Sequence, residues 1–205
     1  MKLLRMFLTI AALLSISATS SVPVQGAEEQ GVDAGFTVAT TGLNGWYTSN
    51  LTVYAVSPVL ANGKLLHPGE SITVSDEGEQ SIEFAIPDGE NTATQLARID
   101  KTLPTVTWNS IHNAEVTATT SGLSAEIADA VSGVCLVQLS TDNGRSWIEG
   151  WNAAGFALDE PVKQTTWTYH DGFPEFATGS HVVILRAQDC AGNFSAGEIL
   201  TVRVK

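Results

Sequence analysis

Basic side chains are scarce in this sequence. Ten Lys and Arg residues stand against 22 Asp and Glu residues, which gives a formal net charge of −12 at pH 7. Nucleic acid and anionic membranes are poor partners for such a surface. We therefore expect no nucleic-acid partner, and we interpret the acidity as a source of solubility outside the cell.

Long hydrophobic runs are equally scarce. The apolar run over residues 6–16 follows Lys2 and Arg5, and small polar residues lead from it to Gly26. The run is shorter than the roughly 20 residues that cross a bilayer, and the order of segments is that of a secretory signal peptide. The sequence predicts a signal peptide over residues 1–26, cleaved after Gly26 or one residue later. We expect a secreted, extracellular protein with no membrane insertion after cleavage, released or held at the cell envelope by other molecules.

No segment carries an apolar stripe over three helical turns. The hydrophobic stretches are instead short and β-branched and alternate with period two, as in LTVYAV (51–56), SIEFAI (81–86) and TVRV (201–204). Turn-forming pairs such as Asn62 with Gly63 lie between them. This pattern predicts an all-β protein made of antiparallel sandwiches or a barrel.

An internal repeat favours two domains over one. The segment GEQSIEFAIPDGEN (78–91) resembles GSHVVILRAQDCAGN (179–193) once one inserted residue is allowed. Repeats about 100 residues apart are typical of repeated domains, because solenoid repeats are roughly 20 to 50 residues long. We place the boundary in RIDKTLPTVTW (98–108), where Pro104 begins a new strand. The predicted domains are residues 33–100 and 104–205.

Several motifs of the two halves resemble one family. They are NGWYTSNLTVYAV (44–56), SDEGEQSIEFAIPDGEN (75–91) and IDKTLPTV (99–106) in the first half, and DAVSGV (129–134), STDNGRSW (140–147) and RAQDCAGN (186–193) in the second. Together they resemble the bacterial Ig-like modules that stand in tandem along extracellular and cell-surface proteins. The resemblance implies two immunoglobulin-like β-sandwich domains in tandem. One departure is VSPVLANGKLLHPGE (56–70), which replaces the usual second hairpin of the first module.

The second half also resembles the Ig-like domain that pairs subunits in sulfite-oxidase-type molybdenum enzymes. With no catalytic domain on this chain, that resemblance implies a shape and no cofactor. The sequence has no nucleophile elbow, no glycine-rich strand-to-helix loop and no HExxH helix, and its four histidines are scattered. Asp159 and Glu160 lie beside Pro161 in an apparent loop. We therefore interpret them as solvated charges and not as a catalytic acid–base pair. We expect no enzyme activity, no cofactor and no metal centre.

Two groups of polar residues predict local structure. Ser140, Asp142, Gly144 and Trp147 fit an Asp-box, a hairpin signature in which the aspartate bonds turn amides and the tryptophan returns to the core. Asp129 and Asp189 begin two loops expected at the same end of the second module. They cap backbone amides there, and the alternative is that they share a calcium ion.

The aromatic residues leave two functions open. Trp167 and Tyr169 alternate on one strand and should face the core, whereas Trp151 and Phe156 lie in a longer loop. We expect a non-catalytic adhesion, spacer or protein-interaction module whose partner at the cell surface is an unidentified protein or glycan. The alternative is a carbohydrate-binding protein that uses Trp151 and Phe156.

The two cysteines are expected to form one disulfide. Cys135 and Cys190 are the only cysteines of a chain that the signal peptide sends to an oxidising compartment. In an Ig-like sandwich, Cys135 opens the third strand and Cys190 follows the sixth. Those strands are neighbours in one sheet, so their ends lie within the distance that a bridge needs.

Overall fold

The computed structural model describes residues 19–23, 35–87, 91–110, 114–116, 123–149, 161–169 and 176–205. Regular structure in these ranges is β-strand throughout. No helix in the described ranges is long and apolar enough to cross a membrane. The fold is therefore all-β, as the alternating sequence pattern predicts.

The first half of the chain forms two four-stranded sheets. Their orders are β1-β2-β3-β6 and β5-β4-β7-β8. The strands are β1 (Thr19–Pro23), β2 (Phe36–Thr40), β3 (Leu51–Tyr54), β4 (Val59–Ala61), β5 (Lys64–Leu66), β6 (Ser71–Val74), β7 (Gly78–Ala85) and β8 (Thr92–Ile99).

The alternating residues of these strands meet in one core. Leu51 and Val53 of β3 point inward from one sheet, and Ile82 and Phe84 of β7 point inward from the other. All four are at most 1% exposed. Each sheet thus buries one face against the other, which makes this half a β-sandwich.

Residues 56–70 contain a hairpin after all. β4 and β5 pair from Val59↔Leu66 to Ala61↔Lys64. The turn between them is Asn62–Gly63, whose φ angles of 48° and 78° are those of a two-residue hairpin turn. The expected loss of the second hairpin is therefore wrong, because this Asn–Gly pair supplies the left-handed backbone that such a turn requires.

The second half of the chain forms a three-stranded and a five-stranded sheet. Their orders are β14-β11-β9 and β10-β16-β15-β12-β13. The strands are β9 (Thr105–Trp108), β10 (Ala114–Val116), β11 (Ser124–Ala128), β12 (Val134–Ser140), β13 (Ile148–Glu149), β14 (Gln164–Thr168), β15 (Gly179–Asp189) and β16 (Glu198–Val204).

A second core lies between these two sheets. Trp167 of β14 is fully buried, and its ring meets those of Trp108 and Tyr169 edge to face at 5.8 and 6.3 Å. Leu139 of β12 and Leu185 of β15 pack against the same cluster from the opposite sheet. The inward orientation predicted for Trp167 and Tyr169 is confirmed.

β1 lies within the segment predicted to be cleaved. It pairs antiparallel with β2 from Thr19↔Thr40 to Pro23↔Phe36 and forms the edge of its sheet. The signal peptide and its cleavage site stay predictions. Removal of residues 1–26 would make β2 the edge strand.

Buried residues of the first core end at Ile99, and those of the second begin at Val106. The domain boundary near Pro104 stays a prediction. We predict that the second half folds independently, because a sandwich of about 100 residues buries enough apolar surface to fold alone. A protein expressed from Leu103 to Lys205 should unfold cooperatively on heating and give a β-type circular dichroism spectrum. A disordered spectrum would place the boundary elsewhere.

Candidate functional site

Three buried aspartates meet where the two halves of the chain join. Asp100 follows β8, Asp129 follows β11, and Asp189 ends β15. Their side chains are 0%, 3% and 0% exposed. One carboxylate oxygen of each lies within 4.8 Å of the others. The first half thus supplies one carboxylate and the second half supplies two.

Asp129 has a buried oxygen that no donor in the described part of the chain satisfies. Its Oδ1 accepts hydrogen bonds from the backbone N–H groups of Val131 (3.1 Å) and Gly133 (2.7 Å). Its Oδ2 is also buried but has no hydrogen-bond partner among the described residues. An unpaired buried carboxylate oxygen is costly, so a positively charged ligand at this position would stabilise the fold.

The other two carboxylates are held by neighbouring amides. Asp189 Oδ1 accepts from the backbone N–H of Asn193 and Oδ2 from its side-chain amide, both at 2.8 Å. Asp100 Oδ1 accepts from Thr102 N–H at 3.0 Å, and Oδ2 accepts from Ser132 N–H at 2.9 Å. A carboxylate oxygen has two lone pairs, so these bonds orient the groups and still leave each oxygen able to bind a cation.

The electrostatics of the cluster favour a cation. Burial raises the pKa values of Asp129 and Asp189 above the ordinary 3.8, and the neighbouring charge of Asp100 raises both further. Amide hydrogen bonds oppose these shifts, and Lys163 also lowers the pKa of Asp129. The Lys163 ammonium is bonded to the carbonyl of Val131, in the loop after Asp129.

The donor set suits a hard divalent cation. Calcium binds six to eight oxygens at about 2.3–2.6 Å, so two oxygens on one calcium ion lie at most about 5 Å apart. The three carboxylates meet that limit. Magnesium demands closer octahedral geometry and retains water, so calcium fits a site of three partly bonded carboxylates better.

The sequence identified two of these three residues. Asp129 and Asp189 were expected to cap turn amides, and the structure shows that they do. It also brings them together, as the calcium alternative required. Asp100 was not predicted to join them, since the sequence pattern placed it only at the end of the first domain. Its place in IDKTLP, directly before the boundary, was the available signal.

A disulfide joins Cys135 and Cys190, in agreement with the sequence prediction. Their Cα atoms lie 4.9 Å apart. Cys135 lies in β12 and Cys190 follows the last residue of β15, which is Asp189. The bridge therefore closes the same end of the sheet that carries the aspartate cluster.

The Asp-box residues form the expected hairpin. Asp142 Oδ1 accepts from the Ser146 N–H (2.8 Å) and the Ser140 hydroxyl (2.9 Å), and Oδ2 accepts from the Ser146 hydroxyl (2.6 Å). The Ser140 hydroxyl oxygen in turn accepts from the N–H of Gly144, whose φ is +78°. This network is internal to the turn and indicates a structural role.

Trp147 does not enter the core as expected. It is half-buried, and the Arg186 guanidinium lies 3.8 Å from its ring centroid and 4.5 Å from that of Phe194. Arg186 alternates along β15 with the buried Leu185 and Ala187, so it faces away from the core. The hairpin therefore directs Trp147 onto the outer face of the sheet, where stacking on a cation replaces apolar burial.

The remaining candidate residues either lie outside the described part of the chain or are described away from the site. Trp151 and Phe156 lie outside the described residues, as do His112, His170 and the Asp159–Glu160 pair. His67 is exposed, and the ring of His181 contacts Phe176, with Nε2 2.6 Å from the carbonyl of Ala177. Neither of the described histidines belongs to the aspartate cluster.

Comparison with known proteins adds little to this assignment. No protein-family model matches the chain, and no curated protein is significantly similar to it. Among solved structures, the fibronectin(III)-like modules of Clostridium thermocellum CbhA align with 80% of this chain and 90% of their own, at 14% identity and a TM-score of 0.36. The superposition is loose, so the sandwich fold is established here by strand pairing and core packing.

We expect the Asp-box hairpin to lose stability in acid. The Ser146 hydroxyl, followed by the other donors of the turn, lowers the pKa of Asp142 from 3.8 to about 2. The ionised form is thus favoured by folding, and its contribution is complete above pH 3.8 and lost as the pH falls through about 2. Asp142→Asn should lower the melting temperature at pH 7, and the difference from wild type should shrink toward pH 2. A difference independent of pH would contradict the assignment, and Asp76→Asn controls for removal of an exposed charge.

The Trp147–Arg186 contact should contribute measurably to stability. Cation–π pairs are worth about 0.5–2 kcal/mol, depending on desolvation. A double-mutant cycle with Trp147→Leu and Arg186→Met, followed by thermal and urea unfolding, should give a coupling energy of about 1 kcal/mol. The cycle also separates this contact from the hydrogen bond that Arg186 Nε donates to Gln138 at 2.8 Å. A coupling near zero would contradict the interpretation.

Proposed function

We propose that this chain is a non-catalytic, extracellular Ig-like spacer of the bacterial cell surface, in which calcium at the aspartate cluster fixes the two sandwiches to each other. The observation that carries the proposal is the composition of the cluster. Asp100 belongs to the first half, whereas Asp129 and Asp189 belong to the second, and all three are buried. A cation held by all three therefore links both halves. An extracellular location supplies the calcium and favours the disulfide.

The connecting segment is held along its length. The Lys101 N–H donates to Glu77 Oε1 at 2.6 Å, and the Lys101 ammonium donates to Asn50 Oδ1 and to the Ser75 carbonyl. The Thr102 hydroxyl donates to Glu77 Oε2 at 2.8 Å. These bonds attach the connection to the first sandwich, so it does not behave as a flexible linker.

The second sandwich holds the same segment from the other side. The side-chain amide of Asn193 donates to the carbonyls of Asp100 (3.1 Å) and Thr102 (3.4 Å). Pro104, which follows, is buried. Asn193 also donates to both carboxylate oxygens of Asp189, so one residue connects the linker to the proposed cation site.

Direct contacts between loops complete the junction. The Leu43 N–H donates to the Ala191 carbonyl at 2.7 Å, and the Asn44 side-chain amide donates to the Cys190 carbonyl at 3.0 Å. Both acceptors follow Asp189 directly in the chain. A cation that orders the Asp189 loop would therefore also order these acceptors, which supports a rigid spacer over two freely rotating modules.

Calcium should stabilise the whole protein. A ligand present at 100 times its Kd adds about 2.7 kcal/mol to the free energy of unfolding, which for a chain of this size raises the melting temperature by roughly 5–10 °C. We expect this rise when calcium replaces EGTA in differential scanning calorimetry of the mature protein. We also expect the transitions of the two halves to merge, because the bound ion makes their unfolding cooperative.

Variants test whether the aspartates supply the ligands. Asp100→Asn keeps the size of the side chain but removes one charge, and it should weaken calcium binding in titration calorimetry by roughly tenfold or more. Asp76→Asn, at an exposed position of the same half, is the matched control and should bind as the wild type does. Absence of calcium binding to the wild type, or equal affinities in wild type and Asp100→Asn, would refute the proposal.

A further inference from the structure

The disulfide links the two chain segments that carry two of the three aspartates. Cys190 directly follows Asp189, and Cys135 lies six residues after Asp129 in the strand that this loop enters. β12 and β15 pair side by side, with Val134 opposite Asp189. The bridge therefore fixes the spacing of the strand ends from which Asp129 and Asp189 project.

Ser132 and Gly133 transmit that spacing to the cluster. Gly133 donates its N–H to Asp129 Oδ1 and accepts from the N–H of Cys190 at 2.8 Å. Ser132 donates its N–H to Asp100 Oδ2, and its hydroxyl oxygen accepts from the N–H of Ala191 at 3.1 Å. The two residues thus connect the backbone around the disulfide with two of the proposed ligands.

The Ser132–Gly133 segment has little freedom to adjust. Gly133 has a φ of +87°, and a Cβ atom added there would lie 2.8 Å from Cβ of Pro161. Ser132 is 2% exposed. A movement of the Cys190 backbone is therefore passed to Asp129 and Asp100 and is not absorbed locally.

The disulfide borders a cavity at the junction of the two halves. A cavity of about 340 Å³ at the junction is lined by both cysteines together with Asn44, Trp46, Glu79, Arg98 and Pro161. Cys190 is 2% exposed, whereas Cys135 is partly exposed. Cys135 is thus the more exposed half of the bridge, and it lies beside the residues that fix the aspartates.

We propose that this disulfide controls the cation site: its reduction weakens calcium binding, and bound calcium shifts the redox equilibrium toward the oxidised form. The inference rests on the proposed function, since it requires the aspartate cluster to bind calcium. Opening the bridge frees the ends of β12 and β15, so the carboxylates are no longer pre-organised for one ion. The coupling is reciprocal, because the change in the calcium dissociation constant and the change in the equilibrium constant for reduction measure one free-energy difference.

The reaction is thiol–disulfide exchange with an external dithiol. One thiolate of the dithiol attacks the Cys135 sulfur, and Cys190 leaves as a thiolate. The second thiolate then displaces Cys135 and closes a disulfide within the reagent. Two electrons pass to the protein, and its two cysteines take up the protons that the dithiol gives up.

Titration calorimetry with calcium chloride tests whether reduction of the disulfide weakens calcium binding. We expect the Kd of the mature protein to rise roughly tenfold in dithiothreitol, and the Cys135→Ser, Cys190→Ser double variant to bind as weakly as the reduced protein. Circular dichroism establishes that both forms remain folded. Equal affinities of the oxidised and the folded reduced protein would overturn the inference and leave the proposed function intact. Absence of binding by the oxidised protein would instead refute the proposed function.

The equilibrium of reduction tests whether bound calcium favours the disulfide. The protein is equilibrated with mixtures of reduced and oxidised dithiothreitol, in calcium and in EGTA, and its thiols are trapped by alkylation and counted by mass. We expect the equilibrium constant for reduction to be about tenfold lower in saturating calcium for wild type and for Asp76→Asn. Asp189→Asn should lose this difference. Equal equilibrium constants in calcium and EGTA for the wild type, or a difference that persists in Asp189→Asn, would overturn the inference.

Discussion

Three carboxylates within 4.8 Å of one another, each at most 3% exposed, repel each other and lose hydration. A fold tolerates such a group only if other contacts supply compensating interactions. Amide donors from residues 102, 131, 132, 133 and 193 do so for five of the six carboxylate oxygens. The sixth, Asp129 Oδ2, lacks a donor among the described residues. The donors come from the linker and from two loops of the second half, so the hydrogen bonds to this charge constrain all three segments.

The disulfide and the aspartate cluster act on the same structural element from two sides. The bridge between Cys135 and Cys190 fixes the strand ends, and the cluster fixes the loops that leave them. Each constraint reduces the conformational freedom that the other must overcome, which is the physical basis of coupling between two sites. The Asp-box hairpin and the Trp147–Arg186 stack lie at other parts of the same sheet.

Much of the architecture follows from short-range sequence signals. Alternating residues such as Leu51 with Val53 must place their side chains on one face of a strand, and that face becomes the core. Asn62–Gly63 closes a hairpin because both residues tolerate positive φ. Trp147 shows where such signals fail. Its hairpin was predictable, but which face of the sheet the ring covers depends on Arg186, about 40 residues away in the sequence.

The sequence by itself determined the strand periodicity, the turns and the pairing of the two cysteines. Strands and turns depend on local backbone preference, and two cysteines allow only one pairing. Only the tertiary structure decided that Asp100 joins Asp129 and Asp189. That contact depends on how two separately patterned halves are placed against each other, and no periodicity within either half encodes the placement. The junction is fixed by hydrogen bonds such as Leu43 to Ala191 and Asn193 to Asp100, whose partners lie more than 90 residues apart.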